Sequence, residues 1–137
     1  MQKPIKTDSG IYLLELRLSE SMIIDSKRFR HLHLEKGYYY YSGSAQKNLS
    51  YRINRHLKKD KTIHWHIDLL TSRPECTVTK YWIIENVDKS GECRLVERLV
   101  KEFGLKPAVR NFGNSDCSRC ISHLLESGVN PLSGFSV

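Results

Sequence analysis

Gly10-Ile11-Tyr12-Leu13-Leu14-Glu15-Leu16-Arg17-Leu18 opens on a glycine, is rich in leucine, and alternates apolar with charged residues toward its end. Successive side chains of a strand point to opposite faces, so this pattern reads as a half-buried β-strand that starts a sheet. Working outward, Ser21 to Ile24 and the alternation Arg30-His31-Leu32-His33-Leu34 read as short strands. Tyr38-Tyr39-Tyr40-Tyr41 is a second firm strand that ends at Ser42-Gly43-Ser44.

Helical periods follow. Asn48 is placed to cap a helix in which Leu49, Ile53 and Leu57 form the buried stripe and Arg52 and His56 share another face. Thr62 is placed to cap a second helix from Ile63 to about Leu70, closed before Pro74, and Val78 to Ile84 returns to strand character. Ser90 then begins a third helix with Cys93, Val96, Leu99, Val100 and Phe103 on one face, ended by Gly104 and followed by Pro107. Ser115 is a candidate start for a short helix running toward Leu125, which leaves 127–137 as a tail free to fray. The expected architecture is one α+β domain over 1–137, with a core of about 8–126 and a central, mainly antiparallel three-stranded sheet flanked by helices.

The formal net charge is +7, and residues 84–137 balance with seven basic and seven acidic side chains, so the excess lies upstream. It is densest between Gln46 and His66, where Lys47, Arg52, Arg55, Lys58, Lys59 and Lys61 face only Asp60. Such a patch suits phosphates, and nucleic acid is a better partner for it than a membrane, since no amphipathic anchor accompanies it. A merely solvated basic face is the plain alternative. The basic N-terminus is not followed by an apolar signal segment, and no apolar run reaches the length of a membrane span. Four cysteines without a signal segment point to a reducing, cytoplasmic setting, with free thiols or metal ligands favoured over disulfides.

Two motifs carry the chemistry. Gly10-Ile11-Tyr12 is answered 29 residues later by Tyr41-Ser42-Gly43, and Arg52 follows with His56 one helical turn beyond. This pair resembles the two halves of the GIY-YIG nuclease motif, and that superfamily also places an arginine and a nearby histidine next. More closely, Tyr41-Ser42-Gly43-Ser44-Ala45, Arg55-His56-Leu57, Trp65-His66-Ile67-Asp68, Glu92-Cys93, Phe112-Gly113, Ser115-Asp116-Cys117 and Ser122-His123-Leu124 resemble a family of GIY-YIG-like domains, some fused to base-excision repair enzymes. The resemblance covers almost the whole chain in the expected order. It implies a divalent-metal endonuclease acting on nucleic acid, DNA above all, with DNA-repair proteins as candidate partners.

Hydrolysis of a phosphodiester needs a base for water, positive charge beside the phosphorus, and a divalent cation held by a carboxylate. By resemblance, Tyr12 and Tyr41 share one site. There Tyr12 serves as base or water-positioner and Tyr41 positions phosphate, whereas simple core filling is the alternative for both. Arg52 suits transition-state charge, and His56 and His66 are candidates to orient water or protonate the leaving oxygen. Asp68 either pairs with a basic side chain or binds metal. The superfamily's metal-binding carboxylate, for Mg²⁺ or Mn²⁺, has two candidates on the third helix, Glu92 and Glu97. One departure stands out: many superfamily nucleases have lysine directly after the second motif's glycine, where this chain has Ser44, so Lys47 is a candidate substitute. Separately, Cys117-x-x-Cys120-x-x-His123, with Cys93, has spacing suited to tetrahedral Zn²⁺, against the alternative of small buried thiols beside a bonded histidine. A non-catalytic nucleic-acid-binding module and a metal-stabilised protein-interaction domain are the rival functions.

Overall fold

The computed structural model describes residues 8–113 and 121–136. In chain order the elements are β1 (Gly10–Leu18), β2 (Met22–Ile24), β3 (Leu32–Leu34), β4 (Gly37–Ala45), α1 (Leu49–Leu57), α2 (Asp68–Thr71), β5 (Cys76–Glu85), α3 (Gly91–Phe103), β6 (Lys106–Pro107) and β7 (Leu124–Gly128). The α+β expectation holds, with a sheet of five strands rather than three, ordered β5-β1-β4-β7-β6 and antiparallel at every pairing. β2 and β3 form a separate two-stranded ribbon.

β1 is the spine. Its residues are buried on both faces except Arg17, so it is not the half-buried strand its alternation suggests. Tyr12, Leu14, Leu16 and Leu18 pack with α1, α2 and the β2–β3 ribbon, while Ile11 and Leu13 face Leu95, Val96 and Leu99 of α3. A strand covered by helices on both sides needs apolar residues at both parities, which is why Ile11 and Leu13 alternate with Tyr12, Leu14, Leu16 and Leu18. The one buried acid on β1, Glu15, accepts hydrogen bonds from Tyr40 Oη at 2.8 Å and Thr79 Oγ1 at 2.7 Å, so its burial is compensated.

Several elements differ from the sequence reading for identifiable reasons. In α1 the inward positions are Leu49, Ile53 and His56, whereas Leu57 is 46% exposed. In α3 Leu95 joins Cys93, Val96 and Leu99 inside, and Val100 is 39% exposed. Asn48 precedes α1 with φ 59° and makes no side-chain cap; Asp8 accepts the Ser50 N–H at 2.7 Å in its place. Ser90 likewise makes no side-chain cap. The helix expected over Ile63 to Leu70 is reduced to α2, because the buried Asp68 carboxylate accepts the N–H groups of His64 and Trp65 at 2.9 Å and folds that stretch into a turn. The end of the expected tail helix is strand β7, which pairs with β4; its start lies outside the described residues. The tail does not simply fray: Phe135 packs on Trp82 and Phe103, and the Leu132 N–H donates to Tyr40 Oη at 2.6 Å.

Leu95→Ala is therefore expected to cost about 2–4 kcal/mol of stability and Val100→Ala less than about 1 kcal/mol. Equilibrium denaturant unfolding of the two variants checks this, and equal losses would put the helix in the other rotation.

Candidate functional site

At one end of the sheet, where β1 begins and β4 ends, lies a half-open cavity of about 500 Å³. It takes Tyr12 from β1, Tyr41, Gly43 and Ser44 from β4, Arg52 and His56 from α1, Trp65 and His66 from the following turn, and Glu92 from α3. Lys47 and Lys89 stand on its wall as well. Of the seven residues singled out for catalysis, six line this cavity; Glu97 does not. Five residues along a helix rotate a side chain by roughly 140°, so Glu92 and Glu97 cannot both face the same site.

The motif spacing has a steric cause. Tyr12 stands directly across from Gly43 in the β1–β4 register, and a Cβ at position 43 would lie 2.5 Å from Tyr12 Oη and 2.6 Å from its Cζ. Only glycine lets the phenol lie across the partner strand. Gly113 does the same for Tyr41, whose ring a Cβ there would meet at 2.7 Å.

Tyr12 Oη and His56 Nε2 are 2.8 Å apart and buried. Burial, reinforced by neighbouring Tyr41, raises the Tyr12 phenol well above its ordinary range, and the Arg52 guanidinium only partly opposes this. The arginine therefore does not make Tyr12 acidic by itself. Burial likewise pushes His56 down to about 3, with Lys61 adding to it, so the imidazole is neutral at working pH. A neutral ring can take a phenolic hydrogen at Nε2 when its own proton sits on Nδ1. Tyr41 is raised mainly by burial and next by Glu92. His66 is lowered by burial and by Arg28, and its Nδ1 accepts the Gly113 N–H at 2.9 Å, which directs Nε2 elsewhere.

Glu92 is the sole carboxylate among the described residues that line the cavity. Ser44 Oγ donates to its Oε2, His123 Nδ1 is 3.1 Å from its Oε1, and Ser42 Oγ donates to its backbone oxygen at 3.0 Å. Ser44, the departure from the usual lysine, thus orients this acid. Arg52 donates to the Ser44 carbonyl, and its guanidinium carbon sits 4.5 Å from the centroid of Trp65.

The basic patch separates into two groups. Arg52 and Lys47 reach the cavity, and Lys58 is exposed. Arg55 is paired with Asp68 at 2.7 Å and donates to the Thr62 carbonyl; Lys59 donates to the carbonyls of Arg73 and Cys76. Lys61 is buried, donating to Thr71 Oγ1 at 2.6 Å. Asp68 takes the ion-pair role: burial alone would raise its carboxyl, but Arg55 and the N–H groups of Trp65 and His64 hold it below the usual range. Trp65 and Lys89 line the cavity although the sequence gives neither a site role: an indole carries no titrating group, and Lys89 precedes α3 with no motif to mark it.

Of the residues with zinc-like spacing, Cys93 Sγ and His123 Nε2 are 3.3 Å apart, and Cys93 is disulfide-bonded rather than reduced. Cys117 and Cys120 lie outside the described residues. Cys76 is a buried free thiol, raised to about 11 by burial. No helix among the described residues is long and apolar enough to cross a membrane.

Fold and site together define an α+β domain that gathers tyrosine, histidine, arginine and one glutamate at the end of an antiparallel sheet. The chain belongs to the family described as domain of unknown function DUF123, whose model matches residues 11–134. Comparison with curated proteins and with solved structures gives no match.

The burial of His56 sets a pH dependence. The unfolded ring gains a proton below its ordinary 6.5 and the folded ring only near 3, so stability falls as pH drops through that window. The loss is on the order of a few kcal/mol. Unfolding free energies measured from pH 7 to pH 4 should decline more steeply for the native chain than for His56→Asn, and parallel curves would remove this histidine as the cause.

Proposed function

We propose that this domain is a GIY-YIG-like, metal-dependent endonuclease that hydrolyses nucleic-acid phosphodiester bonds, DNA above all, in a repair setting. The observation that supports it is the convergence of Tyr12, Tyr41, Arg52, His56, His66 and Glu92, from distant parts of the chain, on one cavity. Arg52, a permanent cation at the wall, offsets charge developing on phosphate oxygens. Tyr12 holds the attacking water, and His56 Nε2, 2.8 Å from Tyr12 Oη, accepts the phenolic hydrogen bond and so turns an oxygen lone pair toward that water. With the phenol raised and the imidazole lowered by burial, both stay neutral, so Tyr12 acts as a water-positioner rather than as a base. Tyr41 orients the phosphate, and Lys47 and Lys89 supply the positive charge that a lysine at position 44 would have given.

One carboxylate with a neighbouring hydroxyl fits Mg²⁺ or Mn²⁺, which keep several waters and take few protein ligands. Glu92 and Ser44 would hold the ion. When bound, it would supply Lewis-acid stabilisation of the phosphoryl oxygens.

Purified protein incubated with plasmid, single-stranded and branched DNA in Mg²⁺, Mn²⁺ or EDTA tests the reading. Cleavage should require the metal and fall at least about 100-fold in Tyr12→Phe, Arg52→Ala and Glu92→Gln, with the fold kept. Undiminished cutting by folded Arg52→Ala would overturn the site assignment. A second reading, a non-catalytic nucleic-acid-binding module, is favoured by the prior engagement of both Glu92 oxygens. Salt-dependent binding without cleavage of any substrate would establish it in place of the nuclease.

We also read Cys93, Cys117, Cys120 and His123 as a zinc set. The 3.3 Å between Cys93 Sγ and His123 Nε2 is near the roughly 3.5 Å separating sulfur and nitrogen ligands on one tetrahedral ion, though Cys93 would first have to be reduced to a thiolate. Protein purified under reductant should carry about one zinc per chain by elemental analysis. Metal-free protein of unchanged thermal stability would dismiss the set.

A further inference from the structure

Asp68 is fully buried, yet it does not line the cavity. Its two oxygens serve different masters. Oδ1 accepts from Arg55 Nη1 at 2.7 Å, and Oδ2 accepts from the backbone N–H groups of His64 and Trp65, both at 2.9 Å. One carboxylate thus fixes a guanidinium and the backbone that carries an indole. The guanidinium carbons of Arg55 and Arg52 each stand 4.5 Å from the centroid of that indole. Arg55 is held a second time, by the Thr62 carbonyl at 2.6 Å. Arg52 has the ring on one side and the Ser44 carbonyl as its acceptor on β4, so its long side chain is restrained at its tip in the cavity wall.

We infer that Asp68, Arg55 and Trp65 form a positioning frame that aims Arg52 into the cavity. An unrestrained arginine populates many rotamers and loses that freedom when it grips an anion. Stacking on an indole held from behind removes most of that freedom before any ligand arrives, which is what preorganisation requires. Arg55 is therefore a support for the cavity and not a phosphate ligand, since its charge is already matched by Asp68. The inference rests on the nuclease reading only for what Arg52 does once aimed.

Two measurements on the whole chain test it. The first needs no nucleic acid: the Arg52 Nε–H resonance, assigned by its loss in Arg52→Ala, should be shifted upfield by the Trp65 ring. It should move to the free-arginine position in Trp65→Leu and Asp68→Asn, and stay partly shifted in Trp65→Phe. An unmoved resonance in folded Trp65→Leu or folded Asp68→Asn would overturn the frame. The second is binding of a fluorescein-labelled single-stranded oligonucleotide in EDTA. Trp65→Leu should weaken binding about fivefold in the native background and less than about twofold in the Arg52→Ala background. Equal losses in both backgrounds would mean that Trp65 acts on its own and would equally overturn the frame. Native protein that binds but never cuts in Mg²⁺ or Mn²⁺ would overturn the nuclease reading, while the resonance and the coupling would still decide the frame.

Discussion

The Tyr12 phenol lies across the backbone of Gly43, and this cross-strand fit is the constraint on which the rest depends. The phenol can lie across β4 only if position 43 has no Cβ, and with it in place Tyr12 Oη arrives at His56 Nε2. His56 is then drawn inward on α1, which turns Ile53 and Leu49 to the sheet and Leu57 out to solvent. The Tyr12–His56 contact and the burial of Leu49 and Ile53 agree on one rotation of the helix. Because that helix also carries Arg52 and Arg55, the same rotation decides where both guanidiniums stand.

A second constraint acts from the far side of α1. Asp68 lies in the interior with both oxygens satisfied, by Arg55 and by two backbone N–H groups. A buried carboxylate is tolerable only when so paired, and here the pairing joins α1 to the turn that bears Trp65 and His66. The cavity therefore has a rigid floor of strand residues and a wall clamped by an ion pair. Glu92 completes it from α3, oriented by Ser44 and His123 on the opposite side. These contacts tie three layers of the fold to one polar space.

Much of this was legible beforehand. The strand character of β1 and β4, the short β2 and β3, the strand β5 and the bounds of α3 all follow from period and punctuation, because glycine, proline and alternating side chains act locally. The second helix and the tail were misread, since side-chain to backbone bonds from Asp68 and pairing with β4 override local preference. The basic patch was legible as a count of charges but not as a surface. Arg55, Lys59 and Lys61 turn out to be spent on Asp68, on main-chain carbonyls and on Thr71, leaving fewer free cations than their number suggests.

By itself the sequence determined which residues could do chemistry and that the Gly10-Ile11-Tyr12 and Tyr41-Ser42-Gly43 stretches lie at strand ends, because residue type and local alternation need no knowledge of the fold. The facing of Tyr12 and Gly43 is a matter of strand register. Only the tertiary structure decided that Glu92 rather than Glu97 reaches the cavity, that His56 is buried and neutral, and that Trp65 stacks on Arg52. The reason is physical: helix rotation, desolvation and stacking are set by what packs against a residue from distant parts of the chain, and no local pattern encodes that neighbour.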